Sequence, residues 1–85
     1  MLYRIELSKP AVHQFEKLSK PVQTRLKSRI DALAHDPRPH GVKKLVGEDE
    51  LYRLRVGDYR IIYQIQDKML LILVMRIGNR KEVYR

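Results

Sequence analysis

Three arginines, Arg53, Arg55 and Arg60, carry the chemistry most legible in this chain. They stand in Leu51-Tyr52-Arg53-Leu54-Arg55-Val56-Gly57-Asp58-Tyr59-Arg60-Ile61-Ile62-Tyr63, where apolar and basic residues alternate, break at Gly57-Asp58 and alternate again. Alternation at a period of two means strand, and Gly-Asp between two strands is a favoured two-residue hairpin loop. With the loop placed there, Val56 stands opposite Tyr59, Arg55 opposite Arg60 and Arg53 opposite Ile62. Directly opposed residues share a face. The arginines therefore gather on one side, and Tyr52, Leu54, Val56, Tyr59, Ile61 and Tyr63 take the other. Crowded guanidinium groups repel one another and add nothing to folding, so the arrangement calls for an anionic partner. Arg80, after Gly78-Asn79, and Tyr84 in the tail extend the set. Arginines with a tyrosine suit phosphodiester chemistry on RNA. The ribose 2′-hydroxyl is the nucleophile, cations stabilise the phosphorane-like state, and the ring holds a splayed base. The same residues could bind DNA phosphates or an acidic protein segment, and Arg53 and Arg55 also fit a solvated face guarding a sheet against edge pairing.

The elements that must position these residues follow in order. Leu2 to Leu7 alternates and reads as a strand. Ser8-Lys9-Pro10-Ala11 and Ser19-Lys20-Pro21-Val22 are two helix starts, each with a capping serine and a proline in the first turn. Ala11, Val12, Phe15 and Leu18 form the apolar stripe of the first helix; Val22, Leu26, Ile30 and Leu33 form that of the second. With almost no loop between them, the two make an antiparallel helical hairpin. Pro37 and Pro39 stop the second helix near His35-Asp36. A short strand is expected over 42–46, then an acidic turn at Glu48-Asp49-Glu50. After the hairpin, Asp67-Lys68 turns the chain into a strand over 69–77, buried on both faces, which Gly78-Asn79 breaks before the tail. Strand, helix, helix and then strands predicts an α+β fold, with the helical hairpin packed on one face of a twisted, mostly antiparallel sheet. The face bearing Leu54, Ile61 and Tyr63 receives the helices; the arginine face stays open.

Composition sets the outer bounds. A chain of 85 residues, 44% apolar and 33% charged, holds one domain spanning 1–85 with a single modest core. Its net charge of +8 and pI near 10.1 favour nucleic acid, an acidic membrane surface or an acidic protein. No apolar run is long enough to span a bilayer, so no membrane is expected. The first residues lack the pattern of an export signal, and with no cysteine in the chain a reducing cytoplasm is the expected location.

Other chemistries find little support. His13, His35 and His40 lack metal-ligand spacing and read as solvated, so no metal is expected. No glycine-rich phosphate loop occurs, which leaves no nucleotide or other small-molecule cofactor to place. Covalent hydrolysis lacks a cysteine or a Ser-His-Asp arrangement. The run Glu48-Asp49-Glu50 is most simply a solvated loop.

Over nearly its whole length the sequence resembles the RelE/ParE superfamily of toxins from type II toxin–antitoxin modules. The likeness is sharpest in Leu51 to Tyr63, in Gly78-Asn79-Arg80 and in Glu82-Val83-Tyr84. It implies the RelE-like microbial ribonuclease fold and, on the RelE branch, ribosome-dependent cleavage of A-site messenger RNA by 2′-hydroxyl attack, leaving a 2′,3′-cyclic phosphate and halting translation. Under that resemblance Arg60 stabilises charge on the scissile phosphate, Arg80 is a phosphate contact or general-acid neighbour, and Tyr84 stacks on a base. Arg53 and Arg55 fall where the ribonuclease prototype has lysines. Arginine does not give up its proton, so Arg53 is a poor general base and acts electrostatically. Lys43, Lys44 and Lys81 join Arg53, Arg55, Arg80 and Tyr84 as expected RNA contacts. Implied partners are a cognate antitoxin, a 70S-type ribosome with its mRNA, and operator DNA reached only through the antitoxin complex. The chain ends at Arg85, short of the C-terminal helix that some relatives carry. Two alternatives remain open: a ParE-like inhibitor of DNA gyrase, and a catalytically disarmed relative acting only in an antitoxin or repressor complex.

Overall fold

A computed structural model describes residues 2–45, 47 and 50–79. Arg80, Lys81 and Tyr84 lie outside the described residues, as do Glu48 and Asp49 of the expected acidic turn. The elements are β1 (Arg4–Leu7), α1 (Lys9–Glu16), α2 (Lys20–Ala32), β2 (Lys43–Lys44), β3 (Leu51–Val56), β4 (Tyr59–Gln66) and β5 (Leu71–Asn79). One five-stranded sheet runs in the order β1-β5-β4-β3-β2. Among the described residues only the β1–β5 pair is parallel. This is the α+β architecture that the pattern predicts. Among the described residues no helix is long and apolar enough to cross a membrane.

The hairpin has the expected register: Val56 opposite Tyr59, Arg55 opposite Arg60, Arg53 opposite Ile62. Gly57 has a φ of 60° and Asp58 does not share the positive sign, which is the type II′ arrangement that suits strand twist. The face bearing Tyr52, Leu54, Val56, Ile61 and Tyr63 enters the core, where it meets Ala11, Leu26, Ile30 and Leu33 from the helices. Each fully buried side chain of this size stabilises the fold by about 1.5–3 kcal/mol.

Several local expectations shift. Val12 is 39% exposed and leaves the helix stripe to Ala11, Phe15 and Leu18, because α1 presents only a narrow face to β1 and β5. Beyond Ala32 the backbone tightens into bonds three residues apart (Leu33 to Ile30, Ala34 to Asp31, His35 to Ala32), so α2 ends earlier than the prolines require. Of the strand expected over 42–46, β2 takes Lys43–Lys44, and Val46 lies outside the described residues. Asp67–Met69 forms a 3-10 turn closed by Leu70 at φ 51°, which delays β5 to Leu71. Gly78-Asn79 does not break the chain. Both residues belong to β5, where Gly78 pairs with Arg60 and Asn79 with Tyr59.

β5 also carries a bulge. Ile62 pairs with Arg76 and Tyr63 with Val74, so Met75 is the extra residue. Ile72 and Val74 face the core, and without the bulge Arg76 would follow them. With it, Ile77 turns inward, 1% exposed, and Arg76 and Gly78 turn to the open face. Helix α1 holds this irregularity. The Ser8 hydroxyl donates to the Met75 carbonyl (2.8 Å) and accepts from the Ala11 N–H (3.2 Å), so one side chain caps the helix and pins the bulge. The Ile77 N–H donates to Gln14 Oε1 at 2.6 Å. Ser8→Ala removes both bonds and is expected to lower unfolding stability by about 1–2 kcal/mol. Urea denaturation checks this, and an unchanged midpoint would contradict the double role.

Candidate nucleic-acid interface

The pairing register arranges the open face in rows across the strands. Lys43, Arg53, Ile62 and Arg76 form one row, from β2 through β5. Arg55, Arg60 and Gly78 form the next, towards the Gly57-Asp58 turn. Neighbouring strands lie about 4.8 Å apart and residues two apart on a strand about 6.8 Å apart, which sets Arg53 and Arg76 each about 8 Å from Arg60 on its two sides. Arg55 directly opposes Arg60, a like-charge pair that works against the fold.

Arg60 is the unusual member. It is 3% exposed, the one buried charged side chain among the described residues. A guanidinium N–H donates to its neighbour's carbonyl, Tyr59 O, at 3.2 Å. Its Nε is buried without an acceptor among the described residues, and no carboxylate there pairs with it. A buried cation with spare donors is costly for folding. It is also a preorganised site for an anion that brings acceptors. Arg55 is exposed and Arg53 half-buried. A pocket of about 110 Å³ is lined by Gly41, Lys43, Arg53 and Arg55, which sets Lys43 beside the arginines. Lys44 does not. It pairs with Tyr52, whose ring is in the core, and so takes the opposite face. The three histidines are all exposed.

Two features escape sequence reading. Arg76 reaches the open face only because of the bulge at Met75, which the unbroken apolar run before it does not signal. The other is a latch at the opposite end of the sheet. Arg38 donates to Asp67 (2.9 Å), Glu50 (3.1 Å) and the Tyr52 hydroxyl (3.0 Å), with its guanidinium 5.3 Å from the Tyr52 ring centre. Tyr3 donates to Asp67 at 2.6 Å, and the buried Tyr63 hydroxyl donates to Pro37 O at 2.7 Å. Hydrogen bonds from Arg38, then from Tyr3, hold the Asp67 carboxyl below its ordinary range. Burial first, then the neighbouring Tyr52, pushes the Tyr63 phenol up, so it stays a donor. Together these bonds fix the proline loop and bring Gly41 and Lys43 alongside Arg53.

With this geometry in view, the comparisons are consistent. The family model described as ParE toxin of type II toxin-antitoxin system, parDE, matches residues 5–84. This chain belongs to the RelE/ParE superfamily, on its RelE-like side. The mRNA interferase toxin RelE of Escherichia coli K12 is 31% identical over 88 residues, covering 99% of this chain and 92% of that protein. An archaeal RelE–RelB complex from Pyrococcus horikoshii contains a chain with a TM-score of 0.84 and 33% identity, covering 96% of this chain and 99% of that one. The isolated E. coli RelE toxin superposes at a TM-score of 0.81 with 28% identity, covering 96% and 90%. The family model thus carries the ParE name, while these individual relatives of the RelE/ParE superfamily carry that of RelE.

If the buried Arg60 serves a bound anion and not the fold, Arg60→Met keeps or improves packing. The expected result is no loss of stability and a gain of about 1 kcal/mol, since burying an unpaired charge is unfavourable. Thermal or urea unfolding measures it; a loss of more than about 1 kcal/mol would make Arg60 a structural residue.

Proposed function

We propose that this RelE-like toxin is a ribosome-dependent endoribonuclease that cleaves mRNA in the ribosomal A site. The observation that carries the reading is the buried, acceptor-poor Arg60 flanked by Arg53 and Arg55 on the sheet face away from the helices. Relatives named mRNA interferase support it. The 2′-oxygen attacks the adjacent phosphorus, the O5′ bond breaks, and the products are a 2′,3′-cyclic phosphate and a 5′-hydroxyl. Arg60 stabilises the charge that builds on the phosphoryl oxygens, and Arg53 and Arg55 add field from the same face. Arginine as a residue type is no general base, so the 2′ proton leaves to another group or to water, and water returns a proton to the departing O5′. Arg80 is assigned a phosphate contact beside the leaving oxygen, Tyr84 the stacking of a splayed base, and Lys43 and Lys81 further backbone contacts. The charge stabilisation comes from arginine and requires no metal. Solved relatives include RelB–RelE complexes, and we assign this chain a cognate antitoxin whose acidic or amphipathic segment covers the basic face.

A second reading has one observation in its favour, the ParE description of the matching family model: binding and poisoning of DNA gyrase without RNA cleavage. Primer extension on a reporter mRNA after induction separates the two. Codon-phased cuts that require translation are expected from the wild type, reduced about 100-fold or more in Arg60→Ala, the usual scale for losing one charge-stabilising donor. Growth arrest with intact mRNA and broken DNA would move the assignment to gyrase. Normal growth would indicate a disarmed relative.

A further inference from the structure

We infer that Arg76 is an additional RNA-backbone contact, binding a phosphate next to the scissile one on the side of Arg60 away from Arg53. This deepens the nuclease reading and rests on it. Three observations converge. First, the Met75 bulge exists at the cost of one interrupted step in the β4–β5 ladder, and its effect is to turn Arg76 out of the core phase and onto the arginine face. Second, α1 fastens the bulge on both sides, through Ser8 at Met75 and Gln14 at Ile77, so the orientation of Arg76 is held by the fold. Third, Arg76 is exposed, and among the described residues it has no hydrogen bond or ion pair.

The bland reading of a surface arginine on a sheet is an edge guard. That reading fails here, because β5 lies between β1 and β4 and has no free edge. Nor does Arg76 offset a local carboxylate: Glu6, on the adjacent edge strand, is held by Arg4 at 2.9 Å. What remains is its position. Arg76 and Arg53 end a row across Ile62, each about 8 Å from Arg60. A single strand whose reacting phosphate sits at Arg60 and Arg55 therefore has a cation ready on either side of that phosphate. Ile62, 8% exposed, supplies a neutral floor between the two.

The test uses the full chain and ribosomes programmed with an mRNA carrying one neutral methylphosphonate, placed in turn at each linkage around the A-site codon. Arg76→Ala is expected to raise KM about five- to tenfold, with kcat within about twofold, and to lower the salt dependence of binding by about 0.7 in the log–log slope, one single-strand phosphate contact. Arg76→Lys restores most of the loss. One methylphosphonate should weaken the wild type yet add nothing to Arg76→Ala. Arg29→Ala, exposed on α2 and so across the sheet from this face, controls for net charge and should leave KM unchanged. Wild-type KM in Arg76→Ala, an equal effect from Arg29→Ala, or additive losses at every neutral linkage would overturn the assignment to Arg76 alone. A wild type that cleaves no programmed mRNA would instead overturn the nuclease reading, and the role of Arg76 with it.

Discussion

Everything in this small fold answers to one constraint: like charges are concentrated on one side of a sheet whose other side must supply nearly all the stability. Arg60 sharpens the constraint, being buried with spare donors and no counter-charge among the described residues. The charge cannot be moved into water, because its strand is central and its neighbours Ile61 and Ile62 are themselves buried. The opposite face compensates with a continuous apolar layer from Tyr52 across to Val74 and Ile77, closed by Leu26, Ile30 and Leu33. The strain is thus local and electrostatic, and the binding of a phosphate would relieve it.

Two fastenings keep that face in shape. At one end, Ser8, the cap of α1, and Gln14 within it grip the bulge and set which β5 residues look outward. At the other, Arg38 and Tyr63 tie the proline loop to the sheet and deliver Lys43 beside Arg53. Arg38 and Asp67 are largely exposed, so their ion pair positions the loop more than it stabilises the fold. Neither fastening lies on the arginine face. Both act on it through strand register, where a slip of one residue would send every side chain to the wrong side.

The hairpin was readable from sequence because two independent signals agree there: period-two alternation and a Gly-Asp loop that fixes the register. The helices were readable from their serine and proline starts, and the α+β order from the sequence of elements. The existence of β5 is readable too, but its phase is not, since the apolar run from Met69 to Met75 carries no alternation to reveal a change. The placement of Arg76 and the continuation of the strand through Gly78-Asn79 depend on partners in β4 and α1. The face of Lys44 depends likewise on a partner strand, since it is set by pairing with Tyr52. The roles given to Arg80, Lys81 and Tyr84 rest on the resemblance.

The central claim, that this arginine face promotes attack by the ribose 2′-oxygen on the neighbouring phosphate, is tested most directly with purified protein and ribosomes programmed with two mRNAs. One is all-ribose; the other carries a single 2′-deoxy nucleotide at the cleavage position. The account predicts a cut in the first that leaves a 2′,3′-cyclic phosphate, and no cut at that position in the second. Equal cleavage of both would contradict the mechanism, and cleavage of neither would contradict the nuclease assignment itself.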